Sequence, residues 1–226
     1  MNILIYGLQR SGTNYIEKVF TDRYRITYLN DNADTAYPGA KHFRLYANKA
    51  IIPHPVYFNN ITVSNFASFE ALLDNVPDYY LVISKDPYSW LLSYEKWAEK
   101  CKWEKVNHHY VEEYNQFYGK WLELAEQTNK IVFVRYIDLL QNIEQELQRL
   151  EKAMKLTKKI LGMFAPIKYR NLPKSEKFTH EHYEYYANEL YLANYSQVGL
   201  NEANNHLDHD IMSKLGYTVR YNVEQQ

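Results

Sequence analysis

The sequence predicts an α/β fold, a three-layer sandwich in which a central, mostly parallel sheet is flanked by helices, formed by a single domain over residues 1–226. Three observations carry that expectation. Apolar runs of strand length occur at 2–6, 79–84 and 130–136. Each leads into a stretch with helical periodicity, the alternation that sets strands parallel. The 226 residues, 46% of them hydrophobic, suffice for one sizeable core and are short for two.

Residues 2–6 form a continuous apolar run, as a strand buried on both faces requires, and Gly7 ends it. After the turn at 8–12, a helix over about 13–22 sets Tyr15, Ile16, Val19 and Phe20 at helical spacing toward the sheet. From 26 to 62, Asn30-Asp31-Asn32, Pro38-Gly39, Pro53 and Pro55 interrupt short apolar pieces, which predicts irregular loops with one or two short strands. A short helix is expected over 69–74, then a central strand over 79–84. Asp86-Pro87 reads as a helix start, with Asp as N-cap and Pro at the first helical position. The helix 87–100 carries Trp90, Leu91, Tyr94 and Trp97; the next, 109–127, carries Tyr110, Tyr114, Phe117, Trp121 and Leu124. A strand at 130–136 leads into one long helical stretch ending near 156, and helices near 179–193 and 208–215 follow.

Composition narrows the function. With 26 Lys+Arg against 27 Asp+Glu the formal charge is −1, so no global positive field draws the chain to nucleic acid or anionic membranes, and any anion site is local. A single cysteine, Cys101, excludes an internal disulfide and fits a reducing, cytoplasmic setting. Residues 1–7 enter a strand directly, without a targeting segment, and no apolar run approaches the ~18–20 residues of a membrane span; a soluble protein is expected. Tyrosine is abundant, with 23 copies. The plain reading is half-buried filler whose hydroxyl stays wet; the sharper one is that some rings stack on a base or a sugar.

Two constellations carry chemistry. Gly7-Leu8-Gln9-Arg10-Ser11-Gly12-Thr13-Asn14 joins a buried strand to a helix, where backbone N–H groups and the positive helix end converge on a phosphate. Two glycines with four residues between them have the spacing of a phosphate loop, yet the lysine that should follow the second is replaced by Thr13-Asn14. Farther on, Lys85 at a strand end precedes Ser93 by eight residues, about two helical turns, so that ammonium and hydroxyl can meet one phosphate. Ser89, one turn before Ser93, reads as a capping residue.

Gly7-x-x-Arg10-Ser11-Gly12-Thr13 resembles the 5′-phosphosulfate loop of the sulfotransferases that use 3′-phosphoadenosine 5′-phosphosulfate (PAPS). The segment from Lys85 to Ser93 resembles their 3′-phosphate motif. Asn14 departs from a position that is often Thr, and Lys85 from one that is more often Arg. Lys41-His42 resembles the segment that supplies the acceptor-activating base, and the run from Phe133 to Leu140 is similar to the family's Arg-Tyr-Glu-Asp-Leu segment, with Ile137 in place of Glu. The resemblance implies a P-loop, sulfotransferase-like fold and a donor site lined by Gly7, Gln9, Arg10, Ser11, Gly12, Thr13, Asn14, Lys85 and Ser93, with Lys174 or Lys177 capping the 3′-phosphate. His42 is then the general base, Lys41 meets the bridging oxygen and Arg10 the phosphosulfate, with no metal expected. The acceptor would be a carbohydrate or small metabolite bearing a hydroxyl or amine; Trp97 and Trp103 read either as a sugar platform or as packing residues.

Two other readings stay open: a P-loop small-molecule kinase with Asp86 as the metal-holding acid, and a non-catalytic nucleotide-binding protein of the same fold. His206, His209, Asp208 and Asp210, and the pair His180 and His182, lack the cysteines or H-E-x-x-H spacing of a metal site. The oligomeric state is not encoded in any motif.

Overall fold

The computed structural model describes residues 1–30, 37–46, 61–159 and 180–222. Strand β1 (Asn2–Tyr6) runs into helix α1 (Thr13–Arg23), and β2 (Thr27–Tyr28) returns beside β1. Two short strands, β3 (Leu45–Tyr46) and β4 (Ile61–Thr62), pair with each other in a separate parallel sheet. Helix α2 (Phe66–Glu70) precedes β5 (Tyr79–Ser84), which is followed by α3 (Pro87–Cys101) and α4 (Tyr110–Ala125). Then come β6 (Ile131–Arg135), α5 (Tyr136–Gln141), α6 (Ile143–Met154), α7 (His180–Ala187), a 3-10 turn over Leu190–Asn194, α8 (Gln197–His206) and α9 (His209–Lys214).

The central sheet has the order β2-β1-β5-β6 and every pairing is parallel. Alternate residues of the strands feed different cores. Leu4, Tyr6, Tyr80 and Val82 pack with Trp90, Tyr114, Phe117 and Trp121 of α3 and α4 on one face. Ile3, Ile5, Leu81, Ile83, Val132 and Val134 pack with Ile16 and Phe20 of α1 and with Leu147 and Leu150 of α6 on the other. The predicted three-layer α/β architecture is thus present, and both faces are covered, as parallel strands with apolar side chains on each face require. Among the described residues no helix is long and apolar enough to cross a membrane.

Several boundaries differ from expectation. The described residues of the segment 26–62 contribute three two-residue strands where one or two were expected, and β2 joins the central sheet as its fourth strand. Helix α2 begins earlier than 69 because Asn65 and Ser68 form a reciprocal capping box. The long stretch expected to reach 156 is broken at Asn142, whose backbone leaves helical geometry (φ −140°, ψ 52°). The helix expected over 179–193 is interrupted before the 3-10 turn by Glu189 in the left-handed region (φ 54°). Helix α8 was not foreseen: its Asn- and Gly-containing sequence has weak helix propensity, and it is secured by the Ser196 side chain, which accepts from Gly199 N.

The tyrosines correct the plain reading of a wet hydroxyl. Tyr6, Tyr24, Tyr80, Tyr88, Tyr94, Tyr114 and Tyr118 are all fully buried. Their hydroxyls find internal partners: Tyr6 donates to Pro38 O (2.7 Å), Tyr114 to Lys85 O (2.9 Å) and Tyr118 to Ile83 O (2.9 Å). The last two come from α4 and satisfy carbonyls at the end of β5, where the ladder stops. Burial raises the phenol pKa of Tyr6, Tyr114 and Tyr118, which keeps them neutral donors.

A second polar feature lies in the same core. Arg44 and Glu113, both completely buried, form an ion pair (Nη1 to Oε2, 2.7 Å). Tyr94 OH accepts from Arg44 Nη2 (2.6 Å) and donates to Glu113 Oε2 (3.0 Å), while His108 Nε2 lies 2.9 Å from Glu113 Oε1. Removing one member of such a pair leaves an uncompensated buried charge. Glu113→Ala is therefore expected to destabilise the fold by about 3–5 kcal/mol, read as a lower urea midpoint with an unchanged slope; a loss below about 1 kcal/mol would show that Arg44 reaches water without its partner.

Candidate functional site

The chain leaves β1 toward β2 on one side and later crosses to β5 on the other. The carboxyl ends of β1 and β5 therefore flank the point where strand order reverses, the place where open α/β sheets leave a crevice. The loop 7–14 follows β1, Lys85 follows β5 and Tyr136 follows β6. Both sequence constellations thus meet at one edge of the sheet.

The loop is shaped by close approach. A Cβ on Gly7 would lie 2.9 Å from the Ile83 carbonyl oxygen, so only glycine lets β1 end this near β5. Gly12 adopts φ 101°, and a Cβ there would stand 2.5 Å from the Tyr136 ring. Arg10 also lies in the left-handed region (φ 71°), a costly conformation for a residue with a side chain. Helix α1 then starts at Thr13 with no side-chain cap and no acidic residue in its first turn, leaving the positive helix end electrostatically suited to an anion.

The loop residues are held unequally. Gln9, Ser11 and Thr13 are buried, whereas Arg10 and Asn14 are exposed. The Arg10 guanidinium lies over the Trp97 ring of α3, 5.3 Å from its centroid. Lys41 is buried and points toward α1, ion-paired with Glu17 and donating to Asn14 Oδ1 (3.3 Å).

His42 lies beside the loop, its Nδ1 2.7 Å from Gly7 O. A carbonyl only accepts, so Nδ1 carries the hydrogen and Nε2 keeps the lone pair of a base. Burial pushes the imidazole pKa down to about 4; the Gly7 carbonyl opposes that shift and the charges of Arg44 and Lys41 add to it. The ring is neutral at pH 7.

On the other flank, Lys85 is buried and its ammonium donates to Ser93 Oγ (2.9 Å). The spacing of a strand end and two helical turns does bring these groups together. Tyr186 of α7 adds a hydroxyl 3.2 Å from Lys85 Nζ, and its ring centroid lies 4.4 Å away. The Tyr136 ring packs edge-on against Tyr186. A polar cavity of about 200 Å³ opens here, lined among others by Lys85, Tyr136, Tyr186 and Arg220. Asp86 occupies the N-cap of α3, its Oδ1 accepting from Tyr88 N (3.0 Å) and Ser89 N (3.1 Å). Ser89 takes part in the same capping turn, its hydroxyl on Asp86 O (3.3 Å).

Lys174 and Lys177 lie outside the described residues. Sequence reasoning missed Tyr186, Arg44 and the role of Trp90, whose Nε1 donates to Gln9 O (2.9 Å). Only Trp90's apolar helical spacing was visible, and it indicated core packing. Of the histidines weighed as metal ligands, His206 pairs with Glu112 through Nδ1 (2.8 Å), and among the described residues no group of three ligand-type side chains is placed to hold a metal.

No family model matches the sequence, and no curated protein matches it. Among solved structures, the crystal structure of mouse sulfotransferase SULT7A1 complexed with PAP is similar: the match covers 93% of this chain and 84% of that one, with a TM-score of 0.50 and 10% sequence identity. At that identity the likeness concerns the fold, a sulfotransferase-like α/β arrangement around a parallel sheet.

The histidine supplies a test of the site's electrostatics. Between about pH 6.5 and pH 4 the unfolded chain holds a proton on this residue that the folded chain lacks, so acidification through that window costs stability. The His42 ring protons are expected to titrate with a midpoint near 4 in NMR, and His42→Gln to flatten the acid side of the stability profile. A midpoint near 6.5 would mean the ring is solvated.

Proposed function

We propose that this protein is a sulfotransferase that takes a sulfuryl group from PAPS and passes it to a hydroxyl or amine of a small-molecule or carbohydrate acceptor. The observation that carries the reading is the pairing of two anion-binding elements across the β1–β5 crevice: a left-handed glycine loop at a helix N-terminus, and a buried lysine bonded to a helical serine. One suits a 5′-phosphosulfate, the other a 3′-phosphate. The fold shared with a sulfotransferase whose structure holds PAP supports the same donor.

The residues fit that donor in kind. Gly12, held against the Tyr136 ring at a φ that favours glycine, turns the loop into α1; Gly7, Gln9, Ser11, Thr13 and Asn14 complete the loop, and Arg10 brings an exposed guanidinium to it. Lys85, Ser93 and Tyr186 offer an ammonium and two hydroxyls to a second phosphate. Lys174 and Lys177 are proposed as additional 3′-phosphate contacts.

When bound, the donor supplies sulfur as electrophile. The acceptor oxygen or nitrogen bonds to sulfur as the sulfur–oxygen bond to the 5′-phosphate breaks, and 3′-phosphoadenosine 5′-phosphate departs. In this scheme His42 takes the acceptor proton at Nε2; because the ring is neutral well below pH 7 it needs no prior deprotonation. Lys41, whose ammonium meets Glu17 and Asn14 of α1, is assigned in this scheme to the leaving oxygen. Charge stabilisation by Arg10, Lys41 and the helix end does the work that a metal does in kinases.

The kinase reading requires Asp86 to hold a metal, but its carboxylate already caps α3 and burial raises its pKa to about 6. Both features weaken it as a metal ligand.

Calorimetric titration tests the proposal. 3′-phosphoadenosine 5′-phosphate is expected to bind without Mg²⁺ and more tightly than ATP or 5′-AMP, and Lys85→Ala to weaken it by about 10- to 100-fold, the value of a charge-assisted contact. Preferential binding of ATP with Mg²⁺ would overturn the sulfotransferase reading.

A further inference from the structure

Loop 7–14 contains two residues in the left-handed region, one of them Arg10, which has a side chain. A non-glycine residue persists there only where its surroundings dictate the conformation. The preceding residue, Gln9, is gripped at both its main chain and its side chain. Trp90 of α3, fully buried, donates its indole N–H to Gln9 O at 2.9 Å. Arg44, also fully buried, donates to Gln9 Oε1 at 3.2 Å and is itself fixed by Glu113 and Tyr94.

The carbonyl of Gln9 is drawn toward α3 by Trp90, as that of Gly7 is drawn to His42. In a planar trans peptide the Arg10 N–H points opposite to the Gln9 carbonyl, so the bond from Trp90 fixes the direction of that N–H; the Ser11 N–H is held inside the loop by Leu8 O (3.1 Å). A buried ion pair is weak evidence for stability, because its desolvation offsets much of its attraction. Its placement behind the loop therefore calls for another account.

We infer that Trp90 and the buried Arg44–Glu113 pair are positioning residues for the anion loop, setting the orientation of the Gln9–Arg10 peptide and so the aim of the Arg10 N–H. The inference rests on the reading of residues 7–14 as the phosphosulfate site.

Trp90→Phe keeps an aromatic ring and removes the N–H. A matched control exists: Trp121 is equally buried and its Nε1 has no hydrogen-bond partner, so Trp121→Phe removes a similar volume without a bond. Calorimetric titration uses inorganic pyrophosphate as probe. The expected result is about tenfold weaker binding for Trp90→Phe, the value of one hydrogen bond, with Trp121→Phe within about twofold of wild type. Equal affinity in Trp90→Phe and wild type would overturn the positioning role while leaving the anion loop standing; no binding of pyrophosphate by the wild type would overturn both. A wild-type measurement covers the case in which the variant does not fold: in ¹⁵N-indole NMR spectra, pyrophosphate is expected to shift the Trp90 resonance and leave that of Trp121 in place. An unmoved Trp90 resonance under saturating pyrophosphate would equally overturn the inference.

Discussion

Parallel pairing of β1 with β5 is the constraint on which the rest of the molecule depends. It aligns Ile3 to Tyr6 with Tyr79 to Val82, so the two strands end side by side and the chain segments that follow them emerge into one crevice. Gly7 is needed because the strands end so close together. The glycine loop and Lys85 therefore share an edge, although nearly the whole N-terminal third of the chain separates them in sequence. Helices on both faces follow from the same constraint, since a parallel sheet with apolar side chains on each side must be covered twice.

A polar order runs through an otherwise apolar core. Carbonyls at the strand ends have no ladder partner, and tyrosine hydroxyls from α4 reach down to take that place. The Arg44–Glu113 pair, with Tyr94 and His108 around it, fills the space between the β3 segment and α4. Such groups are costly when left unmatched and directional when matched. They restrict how the helices can sit on the sheet, which apolar contacts alone do loosely. The tyrosine abundance, conspicuous in composition, is in large part this internal wiring.

Much of the frame was legible in the sequence, and for physical reasons. Strands buried on both faces must be continuous apolar runs, so β1, β5 and β6 stood out. Asp86-Pro87 sets the start of α3, which in turn sets the phase that brings Ser93 back to Lys85. The loop from Gly7 to Asn14 declared itself through its glycines at a strand–helix junction. What stayed hidden depends on contacts with no local signature. Tyr186 meets Lys85 across 101 residues and Trp90 meets Gln9 across 81, and neither spacing carries a period. Arg44 lies in a segment without regular patterning, so nothing foretold that its charge would be buried. The breaks at Asn142 and Glu189 are single-residue backbone choices that helical periodicity, averaged over a window, passes across.

Helix α3 is a rigid mount for both flanks of the crevice. Ser93 on it touches the lysine of one flank, Trp90 holds the backbone of the other, Trp97 lies beneath Arg10, and Tyr94 steadies the arginine behind the loop. All four lie within eight consecutive residues, about 12 Å of a stiff rod at 1.5 Å per residue. The two flanks are accordingly mounted on a common gauge: their separation is a property of one helix and not of two loops that drift independently. A tilt or slide of that rod displaces both at once, and a ligand spanning the crevice is measured for length by a single element.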